Sequence, residues 1–194
     1  MPEAADQPSP AGSGRSLAGF YLAVGVAAAL LGLGAWLYRP TMARYLAWRV
    51  SADASANESR AIRTAAALVR MGPEARIPTQ ELMRSDRPSV RWCTVAGMYL
   101  AVFSRDETPV RGWWVPLAVE AAGDPDAAVS EKALATVEEL FDIRFLGAEG
   151  RQADLWQADP EERRKARVRE MLQWWETTGK RLHAEMGDAG LPRH

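Results

Sequence analysis

Residues 86–103 read DRPSVRWCTVAGMYLAVF. Asp86-Arg87-Pro88 is a helix start, since a proline in the first turn gives up no intrahelical hydrogen bond. Two apolar stripes then follow at helical spacing. One is Trp92, Val95, Tyr99 and Val102; the other is Cys93, Ala96, Leu100 and Phe103. A helix with two apolar faces needs neighbours on both sides, so this segment predicts the centre of a helical assembly.

The segments on either side carry the same period. Upstream, Ile62, Ala65, Ala66 and Val69 fall at i, i+3, i+4 and i+7, which predicts a helix over about 57–71 ended by Gly72-Pro73. A short helix over 79–84 presents Leu82 and Met83. Downstream, Thr108-Pro109 is the next start signal, and Trp114, Leu117, Ala118 and Ala121 form the next stripe. Pro116 either kinks that helix or marks its beginning. Asp124-Pro125 then opens a helix with Asp124 as its cap, carrying Val129, Ala133, Val137, Leu140 and Phe141. In Asp159-Pro160-Glu161-Glu162 an N-cap, a first-turn proline and an N3 glutamate coincide. Val168, Met171, Leu172 and Trp175 form the face of that helix, and Gly179 marks its end. No strand alternation of useful length occurs.

Asp86-Arg87-Pro88-Ser89-Val90-Arg91 and Asp124-Pro125-Asp126-Ala127-Ala128-Val129 each set a capped turn before a valine. Each valine is followed six residues later by an alanine, Ala96 or Ala135. The spacing from Val90 to Val129 is close to the roughly 40-residue period of HEAT arrays. Over about residues 57–142 the chain resembles a HEAT-repeat protein. Val90-Arg91 matches the family's common Val-Arg pair, whereas Val129-Ser130 departs from it. Trp156, Asp159 to Arg163 and Trp174-Trp175 resemble the closing piece of some bacterial HEAT-like proteins, which covers the last apolar face of the solenoid. The resemblance implies a scaffold that presents helices to partners, and it implies no catalytic residue.

Before this domain lies LAGFYLAVGVAAALLGLGAWLY, Leu17 to Tyr38, without a charge. At about 1.5 Å per residue it reaches roughly 33 Å, enough for a hydrocarbon core of about 30 Å. Phe20 and Tyr21 at one end, and Trp36 and Tyr38 at the other, suit the headgroup level. Pro40 is expected to stop the helix. A cleaved leader would have a shorter apolar stretch and a small-x-small site, whereas this one ends in Trp36-Leu37-Tyr38. Gly25, Ala28, Ala29 and Gly32 are small residues at helical spacing, candidates for packing against another membrane helix. Arg39, Arg44 and Arg49 against a single Arg15 place the larger domain in the cytoplasm.

The expected organisation is therefore all-α: a single transmembrane helix followed by a small HEAT-like helical-hairpin domain. Residues 1–16 form a disordered tail, 17–38 the span, 39–56 a juxtamembrane linker or helix, 57–180 the HEAT-like domain and 181–194 a C-terminal tail. The expected location is a cell inner membrane, crossed once.

Function classes are narrowed by what the chain lacks. The 24 basic and 25 acidic residues balance, which argues against a nucleic-acid partner. One cysteine and two histidines offer no metal-ligand cluster and no disulfide. No phosphate loop, metalloprotease motif or nucleophile elbow occurs, so no cofactor and no catalytic residue is expected. Cys93 on an apolar stripe reads as a buried inert thiol. The candidates for interaction are Trp48, Trp113 and Trp174, together with Arg163, Arg164 and Arg167 of a basic run beside Glu161, Glu162 and Glu170. The expected partners are the lipid bilayer and a protein. Two alternatives are a small bitopic subunit of an energy-transducing complex and an enzyme with an acidic concave site, using Glu138 and Glu139.

Overall fold

Every side of the helix over Pro88–Phe103 finds a neighbour, as its two stripes require. The computed structural model describes residues 14–103, 112–145 and 159–186. In chain order these form α1 (Gly14–Asp53), α2 (Glu58–Arg70), α3 (Arg76–Met83), α4 (Pro88–Phe103), α5 (Val115–Ala121), α6 (Ala127–Phe141), α7 (Pro160–Trp174) and α8 (Lys180–Met186). No strand occurs among the described residues. The start signal at Thr108-Pro109, Trp156 and His194 lie outside them.

The chain divides into two compact units, Met1–Arg39 and Pro40–His194. In the second, the helices alternate between two rows. α2, α4 and α6 lie side by side, α3 lies against α5, and each helix also touches the next one in sequence from α2 to α7. The tightest crossing is between α2 and α4. A Cβ built on Gly97 would stand 2.4 Å from the Ala65 Cβ and 2.9 Å from the backbone at Ala65 and Ala66, so only glycine admits this approach.

Two apolar cores result. One gathers Val95, Met98, Trp114, Leu134, Val137 and Met171. The other joins Ala43, Val50, Leu68, Leu82, Val90 and Cys93. Trp92 and Trp113, each half-buried, lie against both. The fully buried aliphatic side chains each contribute on the order of 1.5–3 kcal/mol relative to exposure.

Local signals set most helix ends. The Asn57 side chain accepts a hydrogen bond from the Arg60 amide at 3.1 Å and caps α2. Gly72, at φ 98°, supplies the left-handed turn after it. Pro116 marks a beginning: α5 starts at Val115, so the proline occupies the first turn, where its missing amide costs nothing.

Four expectations are corrected. Pro40 does not stop α1, which runs through it to Asp53. A proline forfeits one backbone bond, and the helix beyond it is held by burial of Ala43, Ala47, Val50 and Ala54. Asp124 is not the cap of α6; Asp126 is, accepting from the amides of Ala128 and Val129. Asp124 is instead gripped by Arg91, with Nε to Oδ2 at 2.6 Å and Nη2 to Oδ1 at 2.9 Å, while its Oδ1 accepts from the Asp126 amide. Gly179 does not end the last long helix. It closes a π turn, Trp175–Gly179, and α8 continues past it into the segment read as tail. A Cβ there would meet Trp175 at 2.5 Å and Trp174 at 2.7 Å, so glycine serves the two indoles. Leu172, read as part of the α7 face, is exposed, because α7 turns another stripe inward.

Candidate interaction surface

Beyond Pro40, α1 has two unlike faces. Ala43, Ala47, Val50 and Ala54 recur every three or four residues and are all buried, in one apolar core with residues of α2, α3 and α4. At about 100° of turn per residue, Arg44, Tyr45 and Trp48 leave on the other side, and all three are exposed. Trp48 is 64% exposed. The Tyr45 and Trp48 rings stack with centroids 6.1 Å apart, and the Arg49 guanidinium lies 5.9 Å from the Tyr45 centroid. Arg49 also pairs with Asp53 at 3.6 Å.

Beside this edge runs a groove of about 450 Å³ between α1 and α3. Arg44, Ala47, Trp48 and Ser51 form one wall, and Pro78, Glu81, Leu82 and Ser85 the other. Ile77, next to Pro78, is 65% exposed. The second wall did not announce itself in the sequence: α3 is eight residues long and carries no aromatic residue.

The other interaction candidates are engaged inside the fold. Trp113 is half-buried and donates its Nε1 hydrogen to the Val69 carbonyl at 3.3 Å. Trp174 meets Phe141 edge-on with centroids 5.0 Å apart and Phe145 at 5.6 Å. Arg164 is buried, hydrogen-bonded through Nη2 and Nε to the Glu161 carboxylate and through Nη1 to the Asp124 carbonyl. Arg167 donates to the Phe145 carbonyl at 3.1 Å, to Glu131 at 2.8 Å and to Glu138 at 3.0 Å. Burial opposes charge on Arg167, but the Glu138 and Glu131 carboxylates more than offset it and hold its pKa above the usual value. Arg163 is half-buried on α7.

Arg164, Arg167, Met171 and Trp175 recur every three or four residues and form the inward stripe of α7. The spacing was available in the sequence, but arginine at two of the positions masked it.

The two carboxylates considered for chemistry serve different neighbours. Glu138 is buried, accepting from the Phe145 amide and from Arg167, with Arg144 at 3.6 Å. Glu139 is exposed and accepts from the Tyr99 hydroxyl at 3.3 Å. Lys132 lies 3.6 Å from the Tyr99 ring centroid. Burial raises the Tyr99 hydroxyl pKa, and the nearby Glu139 charge adds to it. Burial lowers that of Lys132 against the pull of Glu139.

Cys93 is fully buried, and burial, with Glu58 adding, pushes its thiol up to about 11. His183, on α8, sets Nε2 2.8 Å from the Gly112 carbonyl and its ring 5.8 Å from that of Trp175, fastening α8 to the turn before α5. Among the described residues no group of three or more His, Cys, Asp or Glu side chains could hold a metal ion.

In the first unit, residues 19–34 of α1 are exposed throughout. Gly25, Ala28, Ala29 and Gly32 lie among them, and a Cβ on Gly25 or Gly32 would meet nothing within 4 Å. One 18-residue window has a mean hydropathy of 2.0 with none of it buried, so this helix is long and apolar enough to cross a membrane.

Comparison of the chain with protein-family models, with curated proteins and with solved structures found no match.

Proposed function

We propose that this protein is a membrane-tethered helical scaffold or accessory subunit: the apolar part of α1 anchors it in a bilayer, and the helical domain offers a surface to a protein partner without catalysis of its own. The observation that carries the reading is the exposed run over residues 19–34, with Leu22, Leu30 and Leu31 each more than 60% exposed. An apolar surface of that extent has a large hydrophobic cost in water and none in lipid. The two-row alternation of α2 to α6 supports a HEAT-like module, an architecture suited to presenting helices. The engaged carboxylates of Glu138 and Glu139 support a binding role over an acidic reactive site.

The membrane is a bacterial inner membrane crossed once, with Arg39, Arg44 and Arg49 keeping the domain on the cytoplasmic side. Alkaline carbonate extraction of membranes from cells producing the full chain tests the anchor, and protease added to intact spheroplasts tests its direction. The protein is expected in the pellet and protected until lysis. Release into the supernatant, or a mature N-terminus beyond residue 38, overturns the anchor; digestion without lysis overturns the orientation.

A further inference from the structure

We infer that the Tyr45–Trp48 edge of α1 lies in the headgroup layer of the bilayer that the apolar segment enters, with Arg44 and Arg49 turned toward lipid phosphates. This rests on the membrane-tethered reading above.

Three observations lead there. The first is the division of α1 beyond Pro40 into a buried stripe of small residues and an exposed aromatic edge. Such a helix can rest its outer face on another medium without disturbing the core. The second is chemistry. Tyr and Trp combine an apolar body with a polar tip and concentrate at membrane interfaces, and Arg44 and Arg49 project on either side of the stacked pair. The third is reach. Tyr45 and Trp48 follow Tyr38 by only seven and ten residues, so the chain permits both to sit at the level of the headgroups that flank the apolar segment.

Other occupants fit less well. A second copy packed on this edge about a two-fold axis would bring Arg44 and Arg49 toward their own counterparts, a like-charge arrangement that opposes association. A surface of anionic headgroups complements Arg44, and competes with Asp53, 3.6 Å away, for Arg49.

A nitroxide attached to the full-length Trp48→Cys variant, reconstituted in phosphatidylcholine–phosphatidylglycerol vesicles, tests the proposal by power saturation with oxygen and with a water-soluble nickel chelate. Labels at Leu31→Cys, in the apolar segment, and Gln173→Cys, exposed on α7, give the lipid and aqueous limits. Buried Cys93 takes up no label in the folded chain. The ratio of oxygen to nickel accessibility at 48 is expected to be several-fold above that at 173 and below that at 31, and to fall in vesicles of phosphatidylcholine alone.

An aqueous ratio at 48 with a lipid ratio at 31 overturns the interfacial placement and leaves the anchor standing. Shielding of 48 from both reagents also overturns it, in favour of a protein contact. An aqueous ratio at 31 removes the anchor itself. Insensitivity to anionic lipid overturns the part given to the arginines. If the Trp48 variant does not fold, as judged by circular dichroism, the Tyr45→Cys label carries the same test.

Discussion

Arg91 at the start of α4 holds Asp124, at the turn before α6, in a two-pronged ion pair, and its third nitrogen donates to the Ser85 carbonyl at 2.6 Å. One side chain thereby ties together the turns that precede two adjacent helices of the same row. The pair is 11% and 7% exposed, so little water competes for it. The Asp124 hydrogen bond is the main cause that holds the Arg91 pKa above its usual value, against the effect of burial.

Removing the arginine leaves a carboxylate buried without its partner. Arg91→Ala is expected to cost about 3 kcal/mol, which lowers the melting temperature by roughly 6–12 °C for a domain of this size. Arg91→Lys should recover only part of the loss, since an ammonium cannot make the planar two-point contact. Thermal melts followed at 222 nm in detergent check both; a change of less than 1 °C for Arg91→Ala contradicts the role assigned.

Gly97→Ala tests the α2–α4 crossing with a clear sign. In an open helix the change would stabilise by about 1 kcal/mol through backbone entropy. Here the new methyl would stand 2.4 Å from Ala65, so a net loss of about 1–3 kcal/mol is expected. Ala65→Gly in the same chain should restore only part, because the Ala65 and Ala66 backbone atoms at 2.9 Å remain. Denaturant midpoints of the two variants measure this directly.

The basic run of α7 is expected to behave as core at one position and as surface at another. Arg167→Ala takes away three hydrogen bonds and leaves the buried Glu138 with the Phe145 amide and the more distant Arg144, a loss of about 2 kcal/mol. Arg169→Ala, on the exposed side, should stay within about 0.5 kcal/mol of the parent. Equal effects in chemical denaturation would contradict the inward placement of Arg167.

Cys93 should be inert toward a thiol reagent such as Ellman's at pH 8 and react promptly once the chain is unfolded. Its folded value of about 11 lies above the roughly 8.5 of an unfolded cysteine. The folded state thus holds this proton more tightly. Below about pH 8.5 the group costs no stability, and between there and about 11 stability falls as pH rises. A Cys93→Ala variant should show a shallower decline across that window, which alkaline denaturation curves resolve.

The sequence by itself determined what depends on period and local chemistry. Helical stripes placed α2, α4 and α6 within a few residues, Asn57, Gly72 and Asp159 stand at helix ends, and the apolar run of α1 needed only its length and lack of charge. These are properties of neighbours three or four residues apart, and the chain carries them wherever it folds. Tertiary structure decided what depends on the partner across a gap. Pro40 lies within a helix because alanines beyond it are buried, and Gly97 and Gly179 answer side chains met only after packing. Arg164 and Arg167 turn inward because Glu161, Glu131 and Glu138 wait there, whereas Trp48 keeps its exposed edge because none of the described elements covers it. An arginine has the same helical preference on either face. Only the charges and carbonyls brought opposite it determine whether it is solvated or buried.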